Sequence, residues 1–172
     1  MALTNLMKTA RLAKLLDGAS LPVLHGIEAA TQSWKVGAFL IDDDAGSIIE
    51  ATSPLAASGK GTSLTFGLAT NAAKGVTAAD VLFDKATDDT VFEMNLSNAT
   101  AGTHTLVQAD AWSTYAVTKD SASGNWYLDA NAEATTGGGV VVGFKDPVGT
   151  VDARVYVILT HNLIGNADLD LF

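Results

Sequence analysis

Carboxylates, imidazoles and one lysine-bearing glycine turn are where this 172-residue chain could do chemistry. Asp42, Asp43 and Asp44 form its densest carboxylate cluster, and a hard cation such as calcium takes oxygen ligands of that kind. The spacing does not make an EF-hand: Gly46 stands where a third side-chain ligand is needed, and no Glu closes a twelve-residue loop. A solvated hairpin tip accounts for the three aspartates without a metal. Gly59-Lys60-Gly61-Thr62-Ser63 has the composition of a phosphate loop, but Pro54 and Gly61 occupy the places where a P-loop needs Gly and Ser or Thr. His25, His104 and His161 lie far apart, form no HxxxH pair and have no cysteine with which to share a zinc. No Gly-x-Ser-x-Gly elbow marks a nucleophile, so structural roles are expected for all three. The sequence thus nominates no catalytic residue, metal ligand or cofactor site, and the chain reads as non-enzymatic.

What remains is adhesion. Trp34, Trp112 and Trp126, with Tyr115, Tyr127 and Tyr156, offer stacking platforms for a sugar or contact area for a protein partner. The simpler reading of Trp126-Tyr127 is one strand with the two rings on opposite faces and one of them in the core. Hydrophobic residues make up 48% of the chain and charged residues only 17%, so much of the surface is built from small neutral side chains that lie easily against other proteins. A net charge of −9 excludes a general grip on nucleic acid, which needs clustered Lys and Arg to neutralise phosphate. No window approaches the roughly 18 apolar residues that would span a bilayer, so no membrane partner is expected. Lys8, Arg11 and Lys14 interrupt the opening apolar residues, so the start does not read as a secretory signal, and assembly in a cytoplasm is expected.

The elements that would position such surfaces are mostly strands. In residues 3–16, Leu3, Leu6, Met7, Ala10, Ala13 and Leu16 recur at spacings of three and four with Lys8, Arg11 and Lys14 on another side, which predicts a short amphipathic helix stopped at Gly18. It opens an N-terminal arm, 1–33, whose remainder around Pro22 and Gly26 has no clean period. From Trp34 the texture is that of a β domain, 34–162, with possible lobes 34–98 and 99–162. Strands are expected at 36–41 and 47–52 around an acidic hairpin, then at 63–70, 79–83 and 90–96, all half-buried. A second set is expected at 103–108, 115–119, 125–129, 139–144 and 153–160. With no cysteine to staple it, the fold expected is mainly β, a sandwich or barrel, followed by a C-terminal tail, 163–172, that alternates leucines with Asp168 and Asp170.

Several of these pieces form an ordered series. Phe66-Gly67-Leu68-Ala69 precedes an acidic turn; the strand Val91-Phe92-Glu93-Met94-Asn95-Leu96, a polar strand at 103–108 and a strand with Tyr115-Ala116-Val117 follow. Gly124-Asn125-Trp126-Tyr127-Leu128-Asp129 and Gly143-Phe144-Lys145-Asp146-Pro147 complete it. Taken in this order they resemble the head decoration (cement) proteins of tailed phages, and the resemblance covers roughly half the chain. It implies a virion structural protein on the head surface that clamps adjoining major capsid proteins, acting as a homo-oligomer with a trimer favoured, and it brings no catalytic residue. Both chain ends lie outside it; as docking arms, Leu3, Met7, Lys8, Arg11 and Lys14 in one and Leu169, Leu171 and Phe172 in the other are the expected partner-binding residues. The competing reading is a carbohydrate- or receptor-binding β module of a phage tail or fibre. Gly149-Thr150-Val151-Asp152-Ala153-Arg154 also resembles the aspartate-bearing hairpin of trimeric dUTPases, but the segments that complete that site are missing, so Asp152 is read as a turn residue before a strand.

Overall fold

The computed structural model of the chain describes residues 7–16, 18, 23–43, 45–55, 65–100, 102–133 and 138–164. The fold is mainly β and consists of a five-stranded barrel with an added strand, packed against a second five-stranded sheet. The second sheet takes all its strands from the first half of the chain: β2 (Val23–Ile27), β3 (Phe39–Asp42), β4 (Ile48–Glu50), β5 (Thr65–Ala69) and β6 (Asp80–Lys85), in the order β2-β6-β5-β3-β4. Its outer strands meet at one bridge, Glu28 with Ile48, so the sheet is strongly rolled. The barrel comprises β7 (Thr90–Ser97), β8 (Thr114–Lys119), β9 (Trp126–Glu133), β10 (Gly139–Phe144) and β11 (Arg154–Leu159). Antiparallel pairs link β7-β11-β10-β8-β9, and a parallel pair of β7 with β9, Asn95 to Tyr127 through Ser97 to Asp129, closes the ring. Closure removes strand edges that would otherwise template pairing between molecules.

Alternation decides what fills the barrel. Phe92, Met94 and Leu96 of β7, Val117 of β8, Trp126 and Leu128 of β9, Val141 of β10 and Val155 and Val157 of β11 are all fully buried. Gly139 is glycine because a Cβ there would stand 2.5 Å from Val157 Cγ1 and 2.6 Å from Leu128 Cδ2. Phe39 of β3 joins the two sheets: its ring meets Phe92 and Trp126 edge-on, each at 5.5 Å between centroids. Glu50 of β4 adds a polar tie, accepting from Lys119 Nζ at 2.7 Å and Trp126 Nε1 at 3.3 Å.

Several sequence expectations change. The helix over 3–16 is not formed in its described part: Arg11–Leu15 is a strand, β1, paired antiparallel with β7, and residues 1–6 lie outside the described residues. The physical reason is an edge left open. β9 covers only Asn95 to Ser97 of β7, so the backbone of Thr90 to Glu93 on that side needs a partner, and β1 supplies it. Second, β7 is buried at every residue rather than half-buried, because β1 and a layer of charged side chains cover its outer face. Third, 103–108 is not a strand; Thr105 makes a single bridge to Val151, and Gln108–Asp110 is a 3₁₀ turn. β2 is a further change: the arm around Gly26 is expected to have no clean period, yet Val23–Ile27 pair with Asp84 through Asp80 of β6. The remaining strands fall where the sequence predicts them, with ends shifted. The two sheets do not coincide with the two halves of the chain, since β1, from the first half, is added to the barrel at β7. A four-residue helix, α1 (His161–Ile164), follows β11 and buries Leu163 and Ile164 in the common core.

Candidate interaction surface

The polar groups with chemical potential are mostly engaged in holding loops. Asp43 Oδ1 accepts from the amides of Ala45 at 2.8 Å and Ser47 at 2.9 Å, which holds its carboxyl below the usual range; Asp42 Oδ1 accepts from Gly46 at 3.2 Å, and Asp44 lies outside the described residues. Among the described residues no group of three or more His, Asp or Glu side chains is placed to hold a metal. Asp152 adopts a left-handed φ of 49° just before β11, the turn position expected of it, and is buried. Its Oδ1 accepts from Ser97 Oγ at 2.7 Å and from the His104 amide at 3.0 Å. His25 pairs with Asp80 at 3.3 Å on the surface, and nothing is described for the His161 side chain.

His104, Asp110 and Tyr115 converge. Asp110 Oδ2 meets His104 Nε2 at 3.0 Å and the Val107 amide at 2.8 Å, while Oδ1 accepts from Tyr115 Oη at 2.7 Å. Burial raises the Asp110 carboxyl's pKa, but the Val107 amide, His104 and Tyr115 together outweigh it and bring the net value down. The constellation fixes the 3₁₀ turn, and what the turn presents is Trp112. That residue has a left-handed φ of 67°, its amide donates to Val141 O at 2.7 Å, and it is 74% exposed. A bulky residue at positive φ is held there by its surroundings.

Trp112 overhangs a groove on the outer face of the barrel. An apolar part of about 230 Å³ is lined by Leu16, Val91, Trp112, Val142, Tyr156 and Ile158, with Lys14 at its rim. A polar part of about 290 Å³ continues along β1 past Lys14 and Tyr156 to Arg11 and Glu93. Beneath the polar end sits the layer that covers β7. Glu93, almost wholly buried, accepts from Arg11 Nη2 at 2.8 Å, Lys145 Nζ at 2.7 Å and Arg154 Nε at 2.9 Å. Arg154, 3% exposed, spends its other donors on Asn95 Oδ1, Glu93 O and the carbonyls of Lys8 and Thr9. Asn125 Nδ2 adds a bond to Met7 O at 2.8 Å, so residues 7–15 are fastened to the barrel along their length.

Burial alone would raise the Glu93 pKa; hydrogen bonds from Lys145, Arg11 and Arg154 overcome that and bring it from an ordinary 4.5 to about 2. A carboxyl depressed on folding contributes stability that is complete above its unfolded pKa and lost as pH falls through the folded one. The expected result is that Glu93 contributes about 3 kcal/mol at neutral pH, lost progressively between pH 4.5 and 2. Urea midpoints across that interval check it: the gap between the native protein and Glu93→Gln should close as pH falls, and a constant gap refutes it.

Of the expected partner-binding residues, Met7 is buried and therefore part of the fold, Lys8 and Lys14 are exposed, and Arg11 is exposed but tied to Glu93. Leu3, Leu169, Leu171 and Phe172 lie outside the described residues. Trp34 and Trp126 are core residues, and both Trp126 and Tyr127 are buried because one faces the barrel interior and the other its covered outer side. The groove around Trp112 combines residues from five separate segments, and no spacing in the sequence marks it; the exposed aromatic was the one signal available. Among the described residues no helix is long and apolar enough to cross a membrane. Scanned against protein-family models and searched against curated proteins, the chain finds no match.

Proposed function

We propose that this chain is a structural, non-catalytic protein that binds the outer surface of a tailed-phage head and stabilises the lattice of its major capsid protein. The observation that carries the reading is the apolar groove under Trp112: an exposed aromatic held at positive φ over Leu16, Val142 and Ile158 suits adhesion to a protein surface. Weak contacts repeated over a lattice add up through multivalency, and a protein that binds only the assembled lattice stabilises it by mass action. Docking as a homo-oligomer, a trimer in this proposal, would multiply each contact again.

Co-sedimentation with purified expanded heads tests this. The native protein is expected to pellet with heads and raise their thermal resistance, and Trp112→Ala to weaken binding by about 2 kcal/mol, roughly thirtyfold. Absence of binding under every salt condition rejects the reading. Residues 7–33 contribute β1 and β2, so a deletion probing the arm should stop before Met7. The exposure of Trp112 also favours a second reading, a carbohydrate- or receptor-binding module of a tail or fibre, since an open indole is the platform a sugar ring stacks on. Glycan arrays with Trp112→Ala as control discriminate the two.

A further inference from the structure

The groove beside Trp112 is opposite in charge to the molecule around it. The chain carries 19 acidic and 10 basic residues, yet half of the basic ones, Lys8, Arg11, Lys14, Lys145 and Arg154, lie on or next to β1, β10 and β11. Among the described residues the carboxylates that meet these cations are Glu93, which accepts from Arg11, Lys145 and Arg154, and Asp146, whose Oδ2 accepts from the Arg154 amide. Lys14 lines both parts of the groove and, among the described residues, has no carboxylate within ion-pair distance. Asp88 and Asp89, in the turn before β7, line neither part. An exposed cation therefore stands at the border of an aliphatic hollow, which calls for a carboxylate carried beside an apolar side chain.

We propose, resting on the capsid-binding reading above, that the groove receives an acidic, aliphatic segment of the partner protein. An apolar side chain of that segment sits under Trp112 on Leu16, Val142 and Ile158, and a neighbouring carboxylate pairs with Lys14. Lys14 is common to both parts of the groove, so one short segment reaches both. The lining selects a protein over other anions. A sugar would need partners for many hydroxyls, and the apolar part offers polar atoms only on Lys14, Tyr156 and the Trp112 indole. Nucleic acid would need a row of free cations, whereas Arg11, Lys145 and Arg154 are already committed to Glu93. The charge contrast also sets the direction of approach: an acidic target repels the body of this molecule and attracts this face, so docking is steered with β1 foremost.

Fluorescence anisotropy of a labelled peptide alternating glutamate with leucine measures the interaction with the full chain, with a lysine–leucine peptide, a glutamate–serine peptide and heparin as comparisons. The native protein is expected to bind the glutamate–leucine peptide about tenfold or more tighter than either control peptide, with affinity falling as salt rises. Lys14→Glu should cost about tenfold and turn the preference toward the lysine–leucine peptide, and Trp112→Ala should cost about thirtyfold. Both side chains are exposed, so neither change threatens the fold. Equal binding of the glutamate–leucine and lysine–leucine peptides, no binding of either, or binding of heparin alone overturns the proposal. Co-sedimentation with expanded heads separates it from capsid binding itself. If Lys14→Glu pellets with heads as well as the native protein at every salt concentration, the acidic partner is rejected and capsid binding stands. If the glutamate–leucine peptide binds through Lys14 and Trp112 but heads bind none of the protein, the chemistry of the groove stands and the capsid is rejected as its partner.

Discussion

Replacing Arg154 by methionine is expected to lower the free energy of unfolding by about 3–5 kcal/mol, although the side-chain volume is nearly kept. The loss arises because Glu93 stays buried with one fewer counter-charge while the carbonyls of Lys8 and Thr9 lose the Arg154 donors and Asn95 Oδ1 is left with the Lys8 amide. Arg11 and Lys145 still reach Glu93, but Arg11 is largely and Lys145 partly open to water, and they contribute less than a buried fork. Urea unfolding measures the change as a shift in midpoint. The double variant Glu93→Leu with Arg154→Met is expected to recover much of the loss, since replacing both members of a buried pair by apolar groups is often close to neutral. A double variant as unstable as the single one would show that the carbonyls of Lys8 and Thr9, not the ion pair, dominate.

Phe39→Ala is the second large effect, expected at about 3–5 kcal/mol for truncating a fully buried phenylalanine. The position matters beyond its volume. Phe39 is the ring through which the second sheet touches the aromatic end of the barrel at Phe92 and Trp126, so the cavity opens at the junction of the two. Phe39→Leu should retain more than half of the lost stability, because it refills most of the space and forgoes only the edge-on ring contacts. Thermal unfolding followed by tryptophan fluorescence checks both variants; unchanged midpoints would mean that the junction is held elsewhere, for instance by Glu50 with Lys119 and Trp126.

Strands with clean period-two alternation were legible in the sequence because a residue's face is decided locally; 63–70, which contains β5, and 90–96 are examples. The pattern did not reveal what lies outside the barrel. Glu93 and Asn95 read as solvent-facing positions of a half-buried strand, yet Arg154, more than fifty residues away, covers them. Met7, Ala10 and Ala13 fit a helical spacing just as well as a loop leading into a strand, and the choice was made by the vacant edge of β7, which no local window contains. The same limit applies to the groove. Lys14 and Trp112 were visible as a basic residue and a free aromatic, but their shared surface depends on the register of β7, β10 and β11.

The anchoring of residues 7–15 bears on the order in which the molecule can be assembled. Thr9 bonds to Arg154 across 145 positions, and Lys8 to the same side chain across 146. Residues 7–15 therefore have no seat until Arg154 has emerged, and their docking must follow barrel closure instead of nucleating it. Contacts so distant along the chain impose slow, late-stage ordering. Until that moment the bare rim of β7 is available to any stray strand, which makes the nascent protein more prone to mispairing than the finished one.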